Sequence, residues 1–376
     1  MSEDTPLSVV IIGCGIIGIN HARAIGRLSR LRIAALVDTV PTVATDLAEL
    51  VVEELGASRP ATFTSLEDAL QAEPIDVAVI CTPSGLHVGL AEQAVAAGLH
   101  VVIEKPLDVS MERARRIASL AAEAEQRGKV VSVISQHRFD PASVAVAAAA
   151  QSGELGRLTS AVASVAWWRS QEYYDSGAWR GTWQLDGGGA VMNQGVHTVD
   201  LLVWLLGRPV AVFAHTGLLA HERVEVEDVA VATVRFASGA LAVLHATTAA
   251  FPGLSVRLQV HGSAGSAIID DDQLEYLSVN ADATNRAGER VSADQLRGAP
   301  KAADTFVVGH ARQYRDIVEA IDGGRAPCVR VADALLSLAV VRSVYLSAST
   351  GREILVADVL EGVHDEFAVS TEEAYA

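Results

Sequence analysis

The chain has only three cysteines, Cys14, Cys81 and Cys328. Their odd number and irregular spacing argue against a disulfide framework and a zinc site, so free buried thiols in a reducing cytoplasm are expected. Positive charge is scarce too: 29 Lys and Arg against 46 Asp and Glu leave a formal net charge of -17. Such a surface repels nucleic acid and anionic membranes alike, because both are bound largely through clustered Lys and Arg. No apolar run is expected to be long enough to span a bilayer. The opening MSEDTPLSVV carries acids where a secretory signal carries basic residues. No internal repeat is found, and an acidic tail closes the chain.

What is present suits a two-domain globular protein: 376 residues, half of them hydrophobic and a fifth charged. From Leu7 to about Gln136, β-branched runs alternate with helical patterns, the mark of a parallel sheet wrapped by helices. The runs are 7–12, 31–38, 75–81, 99–104 and 129–135, and the pattern fits a doubly wound domain of six short strands over residues 1–136. From His137 to the end, 137–376, strands follow strands. The segments 229–237 and 240–249 read as a hairpin, as do 254–262 and 266–270. An α+β domain with a mostly antiparallel sheet and helices on one face is expected, with late helices at 304–321 and 331–349 and a long polar loop at 281–304.

GCGIIG, residues 13 to 18, follows a predicted strand and opens a predicted helix, which is the setting the dinucleotide fingerprint requires. Gly13 would make the tight turn, Gly15 admit the pyrophosphate and Gly18 allow helix-strand packing, with Cys14, Ile16 and Ile17 between them. Asp38, ending the second strand, stands where a carboxylate binds the adenine ribose hydroxyls. CTPSGLH at 81–87 ends another strand at the ligand-binding edge, so Thr82, Pro83, Ser84 and His87 are expected near the cofactor. For His87, a surface position at a helix start is nearly as good a reading. EKP follows at 104–106, again at a strand end. Lys105 is expected to exchange a proton there, which requires burial to bring its pKa from about 10.4 toward about 7 to 8. A cis Lys105–Pro106 bond would fix its direction, and Glu104 is counted with the cofactor site.

GCGIIG, the aspartate ending strand two, CTPSGLH, EKP and GGGAVMNQGVHTVD occur in the order found in the glucose-fructose oxidoreductase, inositol dehydrogenase and rhizopine-catabolism (Gfo/Idh/MocA) family. The resemblance runs from Leu7 to about Val356 and includes HRFDP at 137–141. It implies a Rossmann domain followed by an open-faced sheet domain, and oxidation or reduction of a carbinol on a sugar, cyclitol or nucleotide-sugar. It also implies a homodimer or homotetramer packed through the C-terminal sheet.

In a regular helix Asn193, His197 and Asp200 fall on one face, a polar stripe in an apolar segment. Metal binding by this set is poor, since an amide is a weak ligand and no second His or Cys has suitable spacing; no metal is expected. Asp200 is read as a structural hydrogen-bonding group. The resemblance implies that His197 joins Lys105 in catalysis. Where the family typically has an aspartate, this chain has Asn193, which cannot relay a proton and is assigned to substrate orientation. The stretch 167–183 holds four of the five tryptophans. Clustered aromatics are more often core than ligand platform, yet its latter part reads as loop. Arg169, Tyr174, Trp179 and Arg180 are expected to contact substrate, with the arginines suited to an anionic one.

The leading alternative is a dinucleotide-binding regulator or sensor without turnover; an imine or tetrapyrrole reductase, or a glycosidase using NAD transiently, would need the same cofactor site. Residues 39–46, after Asp38, contain no arginine to pair with a 2'-phosphate. NAD should therefore bind more tightly than NADP when the two dissociation constants are compared, and tighter NADP binding would overturn that assignment of Asp38.

Overall fold

The computed structural model describes residues 5–177 and 179–369; the end of the expected acidic tail, 370–376, lies outside the described residues. Six strands, β1 (Leu7–Ile12), β2 (Leu31–Val37), β3 (Ala61–Phe63), β4 (Val77–Ile80), β5 (His100–Ile103) and β6 (Val131–Val133), come first. They alternate with α1 (Ile16–Ile25), α2 (Pro41–Glu53), α3 (Leu66–Ala72), α4 (His87–Ala96) and α5 (Met111–Gln126). Then come α6 (Pro141–Gln151), β7 (Leu158–Ala166), α7 (Gln171–Asp175) and a π-helical segment, Ala190–Gly195, that runs into α8 (Val196–Leu206). Strands β8 (Pro209–Gly217), β9 (Val229–Phe236), β10 (Leu241–Thr247), β11 (Val256–Gly262), β12 (Ser266–Asp270) and β13 (Gln273–Ser278) follow. The chain continues through α9 (Ala287–Arg290), α10 (Thr305–Gly323), α11 (Val331–Thr350), β14 (Ile354–Leu355) and α12 (Val356–Glu361).

Two compact units result. The first comprises Met1–Asp108, Arg113–Gln136 and Ala302–Ala334, and the second the remainder. The first unit's sheet is parallel, in the order β3-β2-β1-β4-β5-β6. The order reverses between β1 and β4, and the crevice at that point is where open sheets bind ligands. Strands β1, β4 and β5 are buried at every residue, as continuous apolar runs covered on both faces should be. The edge strand β3 is three half-exposed residues, too short to show a pattern in sequence. Residues 302–334 belong to this unit although they lie far along the chain. Tyr314, Ile317 and Ala320 of α10 enter the same core as Leu7, Val9 and Ile11. Gln313 bonds the backbone at β6, its Nε2 donating to Val133 O (2.8 Å) and its Oε1 accepting from Ser135 N (2.9 Å).

The second unit holds an eight-stranded sheet ordered β13-β12-β11-β7-β10-β9-β8-β14, antiparallel except where β7 and β10 run parallel. Along β9 and most of β10 burial alternates residue by residue. Helices α6 and α8 pack against one face, while Phe213, Val231, Leu241 and Val243 stand exposed. Contrary to the expectation that no apolar run is long enough, α11 could cross a bilayer by length and composition, with mean hydropathy 1.5. Its apolar character follows from burial, since 61% of that window is covered. Its polar groups serve the second unit's interior: Tyr345 donates to Glu227, and Ser347 accepts from Ala214 N.

Glu227 governs the glycine-led segment. Fully buried, its carboxylate accepts from Gly189 N (2.9 Å), Val191 N (2.9 Å) and Tyr345 Oη (3.1 Å). Burial pushes its carboxyl up to about 7, against the pull of these donors. The main chain of Gly189 passes so close that an added Cβ would stand 1.7 Å from Glu227 O. Gly189→Ala should therefore leave no stable fold. Glu227→Gln sets an NH2 group against N–H or O–H donors and should cost about 2 kcal/mol, lowering Tm by about 4 to 8 °C. An unchanged melting curve for Glu227→Gln would refute this account of the segment.

Candidate active site

In the first unit Gly13 and Gly15 lie in the turn from β1 into α1, and Gly18 in α1 itself. Gly13 has φ +94°, and a Cβ there would lie 2.7 Å from Cys81 O; a Cβ on Gly18 would lie 2.2 Å from Gly13 O. Gly15 has open space where its Cβ would be, and it lines a cavity of about 610 Å³ with Asp38, Thr39, Thr82, Pro83, Leu86 and Gln93. No side chain caps α1 and its first turn has no acid, so the N–H groups of Ile16 and Ile17 remain for an anion. Ile16 is itself 74% exposed. Thr82 Oγ1 is buried without a hydrogen-bond partner, a cost that a bound ligand relieves. This combination fits a dinucleotide: diphosphate at the start of α1, ribose beside Asp38.

Asp38 is held by Cys14 N on Oδ2 and Val40 N on Oδ1, each at 2.9 Å. Cys14 therefore serves by positioning Asp38; its thiol is buried and points to Val37 O. Ser84 opens a short 3-10 turn, Ser84–Leu86. His87, expected near the cofactor, is not among the residues lining this cavity. Fully buried, its two ring nitrogens lie 3.1 Å from Leu107 O and 3.0 Å from Thr82 O, and burial depresses its pKa. It ties the loop after β4 to the one after β5.

Glu104 also turns away from the cavity. Its Oε1 lies 2.8 Å from His21 Nε2 and 3.3 Å from His310 Nε2, while Oε2 accepts from Lys105 N at 2.9 Å. His21 Nδ1 meets Tyr314 Oη at 2.6 Å, and His310 Nδ1 meets Phe306 O at 2.9 Å. Burial alone would raise the Glu104 pKa, but hydrogen bonds and charge from the two histidines hold it well below the usual carboxylate range. The sequence contains no sign of this cluster, since its members lie up to 293 positions apart. Lys105, half-buried, ends the β5 strand edge with its backbone pinned by Glu104, and the Lys105–Pro106 bond is cis.

In the second unit Ala190–Gly195 is π-helical and runs into α8, and the three polar side chains Asn193, His197 and Asp200 take different partners. Asn193 Nδ2 donates to Asp186 Oδ1 at 2.5 Å. His197 and Asp200 instead meet the turn at 136–139. Asp200 accepts two hydrogen bonds from Arg138, both 2.7 Å, and one from Ser337, the structural part foreseen for it. The His197 ring stands edge-on to His137, centroids 5.0 Å apart. His137 Nδ1 contacts Asp140 (2.8 Å) and Asp272 (3.2 Å). Burial opposes its protonation, yet these carboxylates raise its pKa to about 10, so it is cationic at neutral pH.

Among the aromatics the adjacent tyrosine is the relevant one. Tyr174, expected at the substrate, is buried, with its hydroxyl 2.9 Å from Thr248 Oγ1. Tyr173 lies between two guanidiniums, Arg169 at 4.8 Å and Arg180 at 4.3 Å from its ring centroid. Arg169 also covers Trp167, and Arg180 covers the partly exposed Trp179. Because β7 ends at Ala166, neither Trp167 nor Trp168 is in the core. Arg169 Nε is buried without a hydrogen-bond partner.

Known proteins resemble the chain over nearly its whole length. The family model for the oxidoreductase NAD-binding Rossmann fold matches residues 7–135, and that for the GFO/IDH/MocA C-terminal domain matches 143–268. The WlbA dehydrogenase of Bordetella pertussis, solved with NADH and UDP-GlcNAcA, is 31% identical, with TM-score 0.80 over 94% of this chain and 99% of that one. GenD2 from gentamicin A biosynthesis, solved with NAD, is 27% identical, with TM-score 0.76 over 94% and 97%. Inositol 2-dehydrogenase of Rhizobium meliloti is 26% identical over 92% of this chain and 98% of its own. With both of its domains matched and the glycine turn, EKP and the MNQGVH segment in place, the chain belongs to the Gfo/Idh/MocA family of NAD-binding oxidoreductases.

Proposed function

We propose that the protein is an NAD-dependent dehydrogenase that moves hydride reversibly between the nicotinamide and a secondary carbinol of an anionic sugar, the class of UDP-linked sugar acids. The observation that carries the anionic part is the pair of guanidiniums flanking Tyr173, neither with an ion pair among the described residues. A carboxylate or phosphate would satisfy them, and the buried Arg169 Nε in particular. The likeness to a dehydrogenase solved with UDP-GlcNAcA supports the same reading.

NAD, when bound, accepts or returns the hydride. In the oxidation direction Lys105, as the neutral amine, takes the hydroxyl proton. His197 hydrogen-bonds that oxygen and Asn193 orients the ring. Asp38 repels a 2'-phosphate, which makes NAD the preferred cofactor. The net charge and the free cysteines suit a cytoplasmic enzyme without nucleic-acid or membrane partners. The exposed face carrying Phe213, Val231, Leu241 and Val243 is proposed to pair with a second copy, since an apolar patch on a sheet is unfavourable in water.

Screening sugars, cyclitols and UDP-sugar acids for reduced-nicotinamide absorbance tests the activity, and turnover of neutral sugars alone would overturn the anionic assignment. Lys105→Ala should lower kcat by at least about 100-fold while leaving the NADH dissociation constant within a few-fold; wild-type turnover would remove Lys105 from the mechanism. Val231→Glu combined with Val243→Glu should give monomers in sedimentation, and an unchanged oligomer would place the interface elsewhere.

A further inference from the structure

Asp186 opens the glycine-led stretch and is 6% exposed. Its Oδ2 accepts from Gly181 N at 2.8 Å, and its Oδ1 from Asn193 Nδ2 at 2.5 Å. A carboxylate offers acceptors only, so the Asn193 atom facing it is the NH2 group. The same nitrogen is directed at Gly188 O, 3.5 Å away. Both amide hydrogens are thus directed at the protein, while the Asn193 carbonyl oxygen has no hydrogen bond among the described residues.

We propose that Asp186 is a positioning residue that locks Asn193 as a hydrogen-bond acceptor, so that position 193 selects a donor, a ring hydroxyl of the sugar. The inference rests on the reading that Asn193 contacts substrate. An amide free to turn over presents either a donor or an acceptor, and the buried carboxylate removes that choice. The carboxylate that position 193 lacks is supplied from position 186, behind the amide. Through Gly181 N the same carboxylate holds the turn that follows Arg180, so one buried group sets both the acceptor and the arginine-bearing loop.

Charge exchange between the two positions tests this. In Asp186→Asn the new amide oxygen stays on Gly181 N and its NH2 meets Asn193, which must turn over and present NH2 to the substrate. In Asn193→Asp two carboxylates face each other. In the double variant D186N/N193D, residue 186 donates to the carboxylate at 193 and still accepts from Gly181 N, so both bonds of residue 186 are restored, only the long contact to Gly188 O is lost, and an acceptor again faces outward. With UDP-N-acetylglucosaminuronate and NAD, each single variant should lose about 10- to 100-fold in kcat/KM, the scale of a hydrogen bond to a charged group. For Asp186→Asn the loss should fall on kcat, with the NADH dissociation constant unchanged. Both single variants should melt below wild type, and the double variant should recover Tm and come within about 5-fold of wild-type kcat/KM. A double variant no better than Asn193→Asp in both readouts, or wild-type kinetics in Asp186→Asn, would overturn the proposal. A wild type inert on this probe counts against the proposed substrate alone; the recovery or non-recovery of Tm in the double variant then decides the pairing.

Discussion

A buried carboxylate is tenable only when its neighbours satisfy it, and the first unit is organised around that demand at Glu104. Its oxygens draw on His21 from the first helix, His310 from a helix two hundred residues later, and the backbone N–H of Lys105. Remove the carboxylate and two buried imidazoles lose their partner, with a penalty larger than the bonds themselves. The His310 contact ties α10 to this unit beside the core packing of Tyr314, Ile317 and Ala320, and the bond from Lys105 N holds the turn that carries Lys105. The backbone of Lys105, the proposed base, is fixed by the residue immediately before it.

The second unit repeats the device with different parts. Glu227 takes up the N–H groups of Gly189 and Val191, groups that a helix start otherwise leaves orphaned. Asp186 takes up Asn193 and Gly181, and Asp200 takes up Arg138. Each buried acid is acceptor to groups that must be held still, and Asp186 bonds directly to Asn193, which is proposed to orient the substrate. This explains how so acidic a chain keeps acids inside: they are neutralised by directed N–H groups more than by distant charge.

How much of this the sequence discloses depends on range. The parallel sheet and the glycine turn are local patterns, and β-branched runs, the spacing of Gly13, Gly15 and Gly18, and Asp38 sufficed to read them. Cofactor contacts at single side chains were harder. His87 and Glu104 stand in motifs beside the site but point into the interior, and no periodicity tells which way a strand-end side chain turns. The π-helical segment was hidden for a similar reason. It is held by Glu227 and Tyr345, both distant in sequence, so a regular helix was the natural expectation. Tyr173 and Tyr174 are adjacent, and only the packing of Thr248 and His221 against the second separates platform from core.

Charge illustrates the difference between a global and a local quantity. A net charge of -17 repels polyanions approaching from a distance, where the summed field acts. At contact range the field of the nearest groups dominates, because screening removes the rest beyond about 8 to 10 Å. Two guanidiniums stacked on Tyr173 therefore create positive ground within an acidic molecule. Stacking on aromatic faces leaves the edges of a guanidinium, where its N–H donors lie, available for hydrogen bonds in its own plane. On the proposed function, the carboxylate or diphosphate of the substrate meets the arginines at this contact range, where the net charge of the whole chain counts for little.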